Sequence, residues 1–191
     1  MRFAFIATVR TSYTLQSLSA EFRMDRRRLS RLLQKIGKVP SGATDKESGN
    51  LIFDAAETLS LMKAFQSAIR LHDLPEYFGA SSRQIEILYR SGLLKPLVPV
   101  AAAEAVHNIV FARDHLDEML AKIANLPTVL DADREKYHSV PYACQRGAGP
   151  FETVLPRIMS GEIPCCRGPC KHGIEALIVR LDDVRANSVP A

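Results

Sequence analysis

The chain has 191 residues, of which 47% are hydrophobic and 24% are charged, and its formal net charge is +4. This composition is typical of a globular protein and argues against extended disorder. No apolar run reaches the roughly 18 residues of a membrane span, and the opening MRFAFIATVR lacks a cleavage-site pattern. We therefore expect a cytoplasmic protein with one large domain or two to three small ones.

The positive charge is concentrated in one short segment. Residues 23–38 contain seven basic side chains and a single acid, Asp25, for a local charge of +6, so the remainder of the chain carries −2. A basic charge confined in this way is typical of a contact with a polyanion. The alternative is a solvated helix face.

The chain also repeats itself. Residues 17–40 align without a gap with residues 73–96, so that Phe22 matches Phe78 at a spacing of 56. Downstream, Phe53 matches Phe111 at a spacing two residues longer, which indicates an insertion in a loop. A third, weaker copy follows, in which SGEI at residues 160–163 corresponds to SGLL at residues 91–94.

In the first copy, Met24 and Asp25 are predicted to form the turn between two helices. Asp25 is expected to cap the second of these helices, over residues 26–36. In this helix, Leu29, Leu32, Leu33 and Ile36 form the predicted buried stripe.

In the second copy, a short helix begins at Leu74 and is ended by Gly79. Ser81 or Ser82 is expected to cap a second helix that runs through Arg90, and a small β wing returns over residues 109–111. Asp114 then opens a final helix. In the third copy, Gly147 and Gly149 loosen the turn, and Pro156 is expected to kink or shorten the second helix.

Two short helices joined by a tight turn are typical of a helix-turn-helix. The predicted fold class is therefore mainly α, with tandem helix-turn-helix units and small β wings. The predicted domains are a first winged unit over residues 1–70, a second winged unit over residues 71–127, and a third, divergent unit over residues 128–191.

The second helix of a helix-turn-helix lies in the major groove, with its N-terminal residues nearest the bases. In the first unit this places Arg27, Arg28 and Arg31 toward the groove and Arg26 toward a flanking phosphate. The arginine fork can bond guanine O6 and N7 together. Three lysines suit backbone phosphates: Lys35, Lys38 and Lys46.

The second unit offers a weaker set of polar contacts on its equivalent helix: Ser82, Arg83, Gln84 and Arg90. Glu86 opposes them, and residues 73–95 carry no net charge. A DNA contact and a structural or protein-docking role are therefore equally open for this helix.

A cluster of thiols and an imidazole near the C-terminus is a candidate zinc site: Cys144, Cys165, Cys166, Cys170 and His172. The paired C-x₂-C spacing of zinc sites is missing, so free thiols are the default, and we predict neither a metal nor a cofactor. No Gly-rich phosphate loop, HExxH or GxSxG motif is present. We therefore predict a protein that is not an enzyme.

The series VRTSYTLQSLSAEFRMDRRRLSRLLQKIGKVP, FDAAE and LPEYFGASSRQIEILYRSGLLKPLVP resembles the C-terminal half of TniQ-family proteins. The resemblance covers about residues 9–184, and a looser likeness to MerR-type and excisionase-type winged units follows from the same residues. TniQ-family proteins are bacterial factors that select the target site in transposition, without cutting or joining DNA themselves. Members normally carry a zinc-binding N-terminal region, whereas here the first helix pair begins near Tyr13, which leaves three alternatives open: a stand-alone DNA-binding remnant, a fragment of a disrupted gene, or a repurposed regulator.

The resemblance implies double-stranded DNA as the ligand and a transposition ATPase or transposase as the protein partner. Neither a membrane nor a small-molecule substrate is expected. Two alternatives use the same modules: a DNA-binding transcriptional regulator, and a protein-interaction scaffold whose DNA contact is incidental.

Overall fold

The computed structural model describes residues 11–99, 109–129, 131–169 and 171–188. As predicted, the chain is mainly helical with small antiparallel sheets. The described residues divide into two compact units, residues 11–68 with 97–99 and residues 69–96 with 109–188. Apart from residues 97–99, which belong to the first unit, the described residues of the second and third predicted domains lie in the second unit, and the division between these domains at residue 127 stays a prediction. No helix within the described ranges combines the length and the apolar character needed to cross a bilayer.

The first unit begins with a strand and a helix pair. Its elements in chain order are β1 (Ser12–Thr14), α1 (Leu15–Phe22), α2 (Arg26–Lys35), α3 (Asp45–Gly49), β2 (Ile52–Asp54) and α4 (Ala55–Gln66). β1 and β2 pair antiparallel with Tyr13 opposite Phe53, and both of these side chains are buried. Because side chains alternate along a strand, one face of this ribbon contributes to the core and the other stays exposed.

The core of the first unit is mostly aliphatic, with Tyr13 and Phe53 among its buried members. Leu18 from α1 and Leu29 and Leu33 from α2 are completely buried, and Met62 from α4 packs in the same cluster. The predicted stripe of α2 is confirmed, with Ile36 as the C-cap rather than a helical residue. Packing of this stripe fixes which face of α2 points to solvent.

The turn between α1 and α2 differs from its prediction. The residue in the left-handed conformation is Arg23, with φ 50°, so the strained position lies one residue before the predicted Met24–Asp25 pair. Arg23 occupies the position of Gly79, 56 residues later, whose φ is 53°. The turn geometry is therefore shared by the two copies, although only the second has the residue that adopts it without strain.

The second unit contains two further sets of the same kinds of element. In chain order they are β3 (Ile69–Arg70), α5 (Leu74–Phe78), α6 (Ser82–Arg90), β4 (Val110–Phe111), α7 (Arg113–Ala124), β5 (Tyr137–Ser139), α8 (Val140–Ala143), α9 (Phe151–Met159), β6 (Cys166–Arg167), β7 (Leu177–Arg180) and α10 (Leu181–Ser188). β3 pairs antiparallel with β4, with Ile69 opposite Phe111. β7 lies between β5 and β6, antiparallel to both.

The strand register confirms the repeat predicted from the sequence. Tyr13 faces Phe53 in the first copy and Ile69 faces Phe111 in the second, which are the pairs that the spacings of 56 and 58 residues imply. One backbone hydrogen bond recurs after the second helix of each of the three copies. In each case a buried residue that follows the helix donates its N–H to a carbonyl of that helix. The pairs are Val39 to Leu33, Leu94 to Leu88, and Ile163 to Arg157. Leu33 and Leu88 are 55 residues apart, because α2 is one residue longer than α6, so the predicted gapless alignment at a spacing of 56 is wrong by one residue at the end of the second helix.

The prediction for Pro156 was wrong with respect to length. α9 spans nine residues with Pro156 inside it, and α6 spans the same number. A proline removes a single intrahelical hydrogen bond, while Val154, Leu155 and Ile158 of α9 are buried and hold the helix in place. Packing of the apolar face therefore outweighs the local penalty.

Candidate nucleic-acid interface

The start of α2 is fixed by the predicted cap. The Asp25 carboxylate accepts hydrogen bonds from the backbone N–H groups of Arg27 and Arg28, at 3.0 and 3.1 Å. These are donors that a helix cannot satisfy internally. Because the cap sets the first helical residue, it also sets the directions in which the following side chains leave the helix.

The buried face of α2 consists of leucines and Ser30, and its arginines are exposed. Leu29 and Leu33 are inaccessible to solvent, while Arg28 and Arg31 are exposed three residues apart and hence lie on one face. The helix has five cationic side chains and no acid. α2 therefore presents an uninterrupted cationic face, as the sequence analysis expected.

The guanidinium groups of this face are largely uncompensated by the protein. Within the described residues, Arg26, Arg28 and Arg31 form no ion pair with a carboxylate. Arg27 lies 3.9 Å from Asp45, measured from Nε to Oδ2, with the two side chains 80% and 79% exposed. An ion pair this long and this exposed is weak and easily exchanged for a phosphate.

A cleft of about 310 Å³ lies beside the start of α2. Its lining includes the acids Asp25 and Asp45 as well as Arg26 and Arg27. Because the charges in the cleft are mixed, an anion is attracted to the outer face of Arg28 and Arg31 rather than into the cleft.

The three predicted phosphate-binding lysines have different surroundings. Lys46 lies exposed on α3, a short helix that packs against both α1 and α2. Lys35 is exposed in the last turn of α2. The Lys38 ammonium instead pairs with the carboxylate of Glu57 in the first turn of α4. Lys38 must leave this partner to reach a phosphate, so it is a weaker candidate for phosphate binding than Lys46.

α6, the counterpart of α2 in the second unit, has its charges neutralised. Arg83 pairs with Glu152 of α9, and the hydrogen bond from Arg83 holds the pKa of the Glu152 carboxyl below its usual value. Arg90 Nη2 lies 2.6 Å from the Glu86 carboxylate, one turn earlier on the same helix.

The remaining polar candidates of α6 are divided between capping and solvent. The Gln84 side chain accepts a hydrogen bond at 2.8 Å from the backbone N–H of Ser81, in a capping box, and Ser82 is exposed. α6 also packs against α9, and Ile87 is buried. Of the two open interpretations of this helix, the geometry favours the structural one.

The cysteines do not gather into a metal site in the part of the chain that is described. No group of three histidine, cysteine or acidic side chains there could hold an ion, and Cys170 lies outside the described residues. Cys144, Cys165 and Cys166 are free thiols. Burial raises the pKa of Cys165 to about 11, which disfavours the thiolate that zinc requires.

Comparisons with known proteins return no match. No protein-family model, curated protein or solved structure is matched by this chain. The geometry and charge of α2 are therefore the main indication of function, and the TniQ resemblance stays an expectation carried by the residues quoted for it.

Sequence reasoning missed the contacts that distinguish α2 from α6. Arg83 and Glu152 are 69 residues apart, and nothing local to either residue indicates the pair. The sequence gives even less indication that Asp45 approaches Arg27, because Asp45 is a single acid in the segment between α2 and β2. The only usable hint was Glu86, whose opposition to the basic residues of α6 is confirmed by its ion pair with Arg90.

Proposed function

We propose that the protein binds double-stranded DNA through the first unit, with α2 acting as the recognition helix of a helix-turn-helix. The observation that carries the proposal is the exposed, unpaired arginine face of a capped helix whose opposite face is buried. α1 and α2 joined by a tight turn, with β1 and β2 as a small wing, have the parts that such a module needs.

The expected contacts follow from position along α2. Arg28 and Arg31 share the exposed face and reach base edges, where an arginine fork suits guanine. Arg26, Lys35 and Lys46 neutralise phosphates, which fixes the position of the module without selecting sequence.

The wider role that we propose is that of a DNA-binding accessory protein of a mobile element, similar to TniQ-family target selectors. The support is the ordered series of motifs quoted above, and the implied protein partner is a transposition ATPase or transposase. Mapping of binding sites across the genome tests this role. Sites clustered at promoters would favour a transcriptional regulator instead.

A second candidate, a protein-interaction scaffold, is favoured by one specific observation. The cationic heads of α6 are paired with Glu152 and Glu86, so this helix attracts DNA less than α2 does. In this interpretation the second unit supplies the surface for a protein partner, and any DNA contact is incidental.

The decisive experiment compares two double variants in a DNA-binding titration over a range of salt concentrations. Arg28→Ala/Arg31→Ala removes two unpaired arginines from α2, and Arg83→Ala/Arg90→Ala removes two paired arginines from the equivalent helix. The affinity for duplex DNA falls with salt at a slope of about 0.9 per neutralised phosphate. We expect the first variant to bind duplex DNA at least about tenfold more weakly than the wild type. If both arginines contact phosphates, the salt slope of the affinity falls by up to about 2.

The second variant serves as the matched control, and we expect it to change affinity by less than about twofold. Equal losses in both variants would contradict the assignment of α2 as the reader. Unchanged binding in the α2 variant at low salt would remove the first unit from the DNA contact altogether.

A further inference from the structure

The second unit contains a cleft of about 530 Å³ that the DNA-binding proposal does not use. One wall is α7, which contributes Met119 and Ile123, and the opposite wall is the end of α9 with the loop that follows it. Ile158 and Ile163 form a buried floor. The volume lies within the roughly 300–1,000 Å³ of small-molecule sites.

The lining of this cleft is apolar apart from a few groups, and most of those are already engaged. His115 Nε2 lies 3.3 Å from the carbonyl oxygen of Leu93. The Ser160 hydroxyl donates to the carbonyl of Arg157 or to the carboxylate of Glu162. Cys165 is half-buried and uncharged, because burial raises its pKa.

Lys122 is different, because its side chain is exposed at the edge of the cleft and pairs with no carboxylate within the described residues. The described lining residues include no aspartate or glutamate. The cleft therefore combines an apolar interior with one uncompensated positive charge, which favours an apolar ligand with a single negative group.

We propose that this cleft binds small amphipathic carboxylates, with the alkyl chain against Met119, Ile123 and Ile158 and the carboxylate at Lys122. A cationic ligand of the same chain length places its charge next to the lysine ammonium, which is repulsive. The sign of the ligand's charge therefore separates this proposal from nonspecific hydrophobic binding.

The test is calorimetric titration of the whole chain with octanoate and, in parallel, with octyltrimethylammonium, which has the same alkyl chain and the opposite charge. We expect octanoate to bind at millimolar concentrations at least about tenfold more tightly than the cation. Lys122→Gln should weaken octanoate binding by about tenfold. Lys95→Gln, which removes another exposed lysine of this unit outside the cleft, should leave it within about twofold.

A second measurement locates the ligand. Cys165 lines the cleft and Cys144 does not, so octanoate should slow alkylation of Cys165 at mildly alkaline pH and leave that of Cys144 unchanged, as followed by site-resolved mass spectrometry. The proposal is overturned by the absence of saturable heat, by equal binding of the two ions, or by octanoate binding that Lys122→Gln leaves unchanged. Equal protection of both thiols would place the ligand elsewhere.

Discussion

Arg23 has a strained backbone conformation, and replacing it with a residue that tolerates this conformation should stabilise the protein. Its φ of 50° lies in the left-handed region, where any residue other than glycine is strained. Its counterpart in the second copy is Gly79. The Arg23 side chain is exposed and forms no ion pair within the described residues. Replacing it by glycine therefore removes strain while breaking no contact that the structure shows.

The size of the effect follows from two opposing terms. The left-handed conformation costs a residue with a Cβ about 1–2 kcal/mol. Glycine loses more conformational entropy on folding than arginine does, and this loss offsets about 0.5–1 kcal/mol of the stabilisation. We therefore expect Arg23→Gly to stabilise the first unit by about 0.5–1 kcal/mol, or about 2–8 °C in melting temperature for a unit of this size.

The assay is thermal and urea unfolding of the wild type, Arg23→Gly and Arg23→Ala. Alanine removes the charge but keeps the Cβ, so this control should stay within about 0.5 kcal/mol of the wild type. A gain in the glycine variant alone supports the strained turn. The reasoning is refuted if the glycine and alanine variants are equally stable, or if glycine is the less stable of the two.

Three further predictions concern local contacts. Gly173→Ala should lower the free energy of unfolding by about 3 kcal/mol in urea, because the added Cβ would lie 1.8 Å from the carbonyl oxygen of Phe78 and the backbone would have to move. An unchanged free energy of unfolding would contradict this close approach. Asp25→Ala should cost about 1 kcal/mol, while Asp25→Asn should retain most of the cap, and equal losses in both variants would argue against capping. Hydrogen bonds from Thr44 hold the pKa of Glu47 below its usual value, so the destabilisation caused by Glu47→Ala should be present at neutral pH and disappear as the pH falls through that lowered pKa. A destabilisation that is constant with pH would be inconsistent with this.

Helix starts were predictable because their signals are local. Asp25 and Ser81 each lie three residues or fewer from the backbone groups that they cap. Asp25 was predicted as a cap, and the structure selects Ser81 from the predicted alternatives Ser81 and Ser82. The match between Phe53 and Phe111 indicated equivalent strands in the two copies, but their partners were not predicted. The return strand at residues 109–111 pairs with β3 at residues 69–70, which lies before the helix pair and not in the predicted wing after it. The exposed arginine face followed from placing the leucines of α2 inside.

Features that depend on distant residues were beyond the sequence. Arg83 finds Glu152 only because α6 packs against α9, and neither position carries a signal of the other. Arginine gives no local indication of a left-handed turn, and the sequence signalled the conformation of Arg23 only through its alignment with Gly79, which the predicted Met24–Asp25 turn did not take into account. The apolar cleft beside Lys122 was not foreseen for the same reason, since its walls come from separate parts of the second unit.

The central claim, that α2 enters a DNA groove, is tested most directly by following backbone amide resonances during titration with a short duplex. The account predicts the largest shifts at residues 26–35 and at Lys46, with little change over residues 82–90. Shifts concentrated on residues 82–90, or an unperturbed α2 under low-salt conditions that saturate binding, would contradict it.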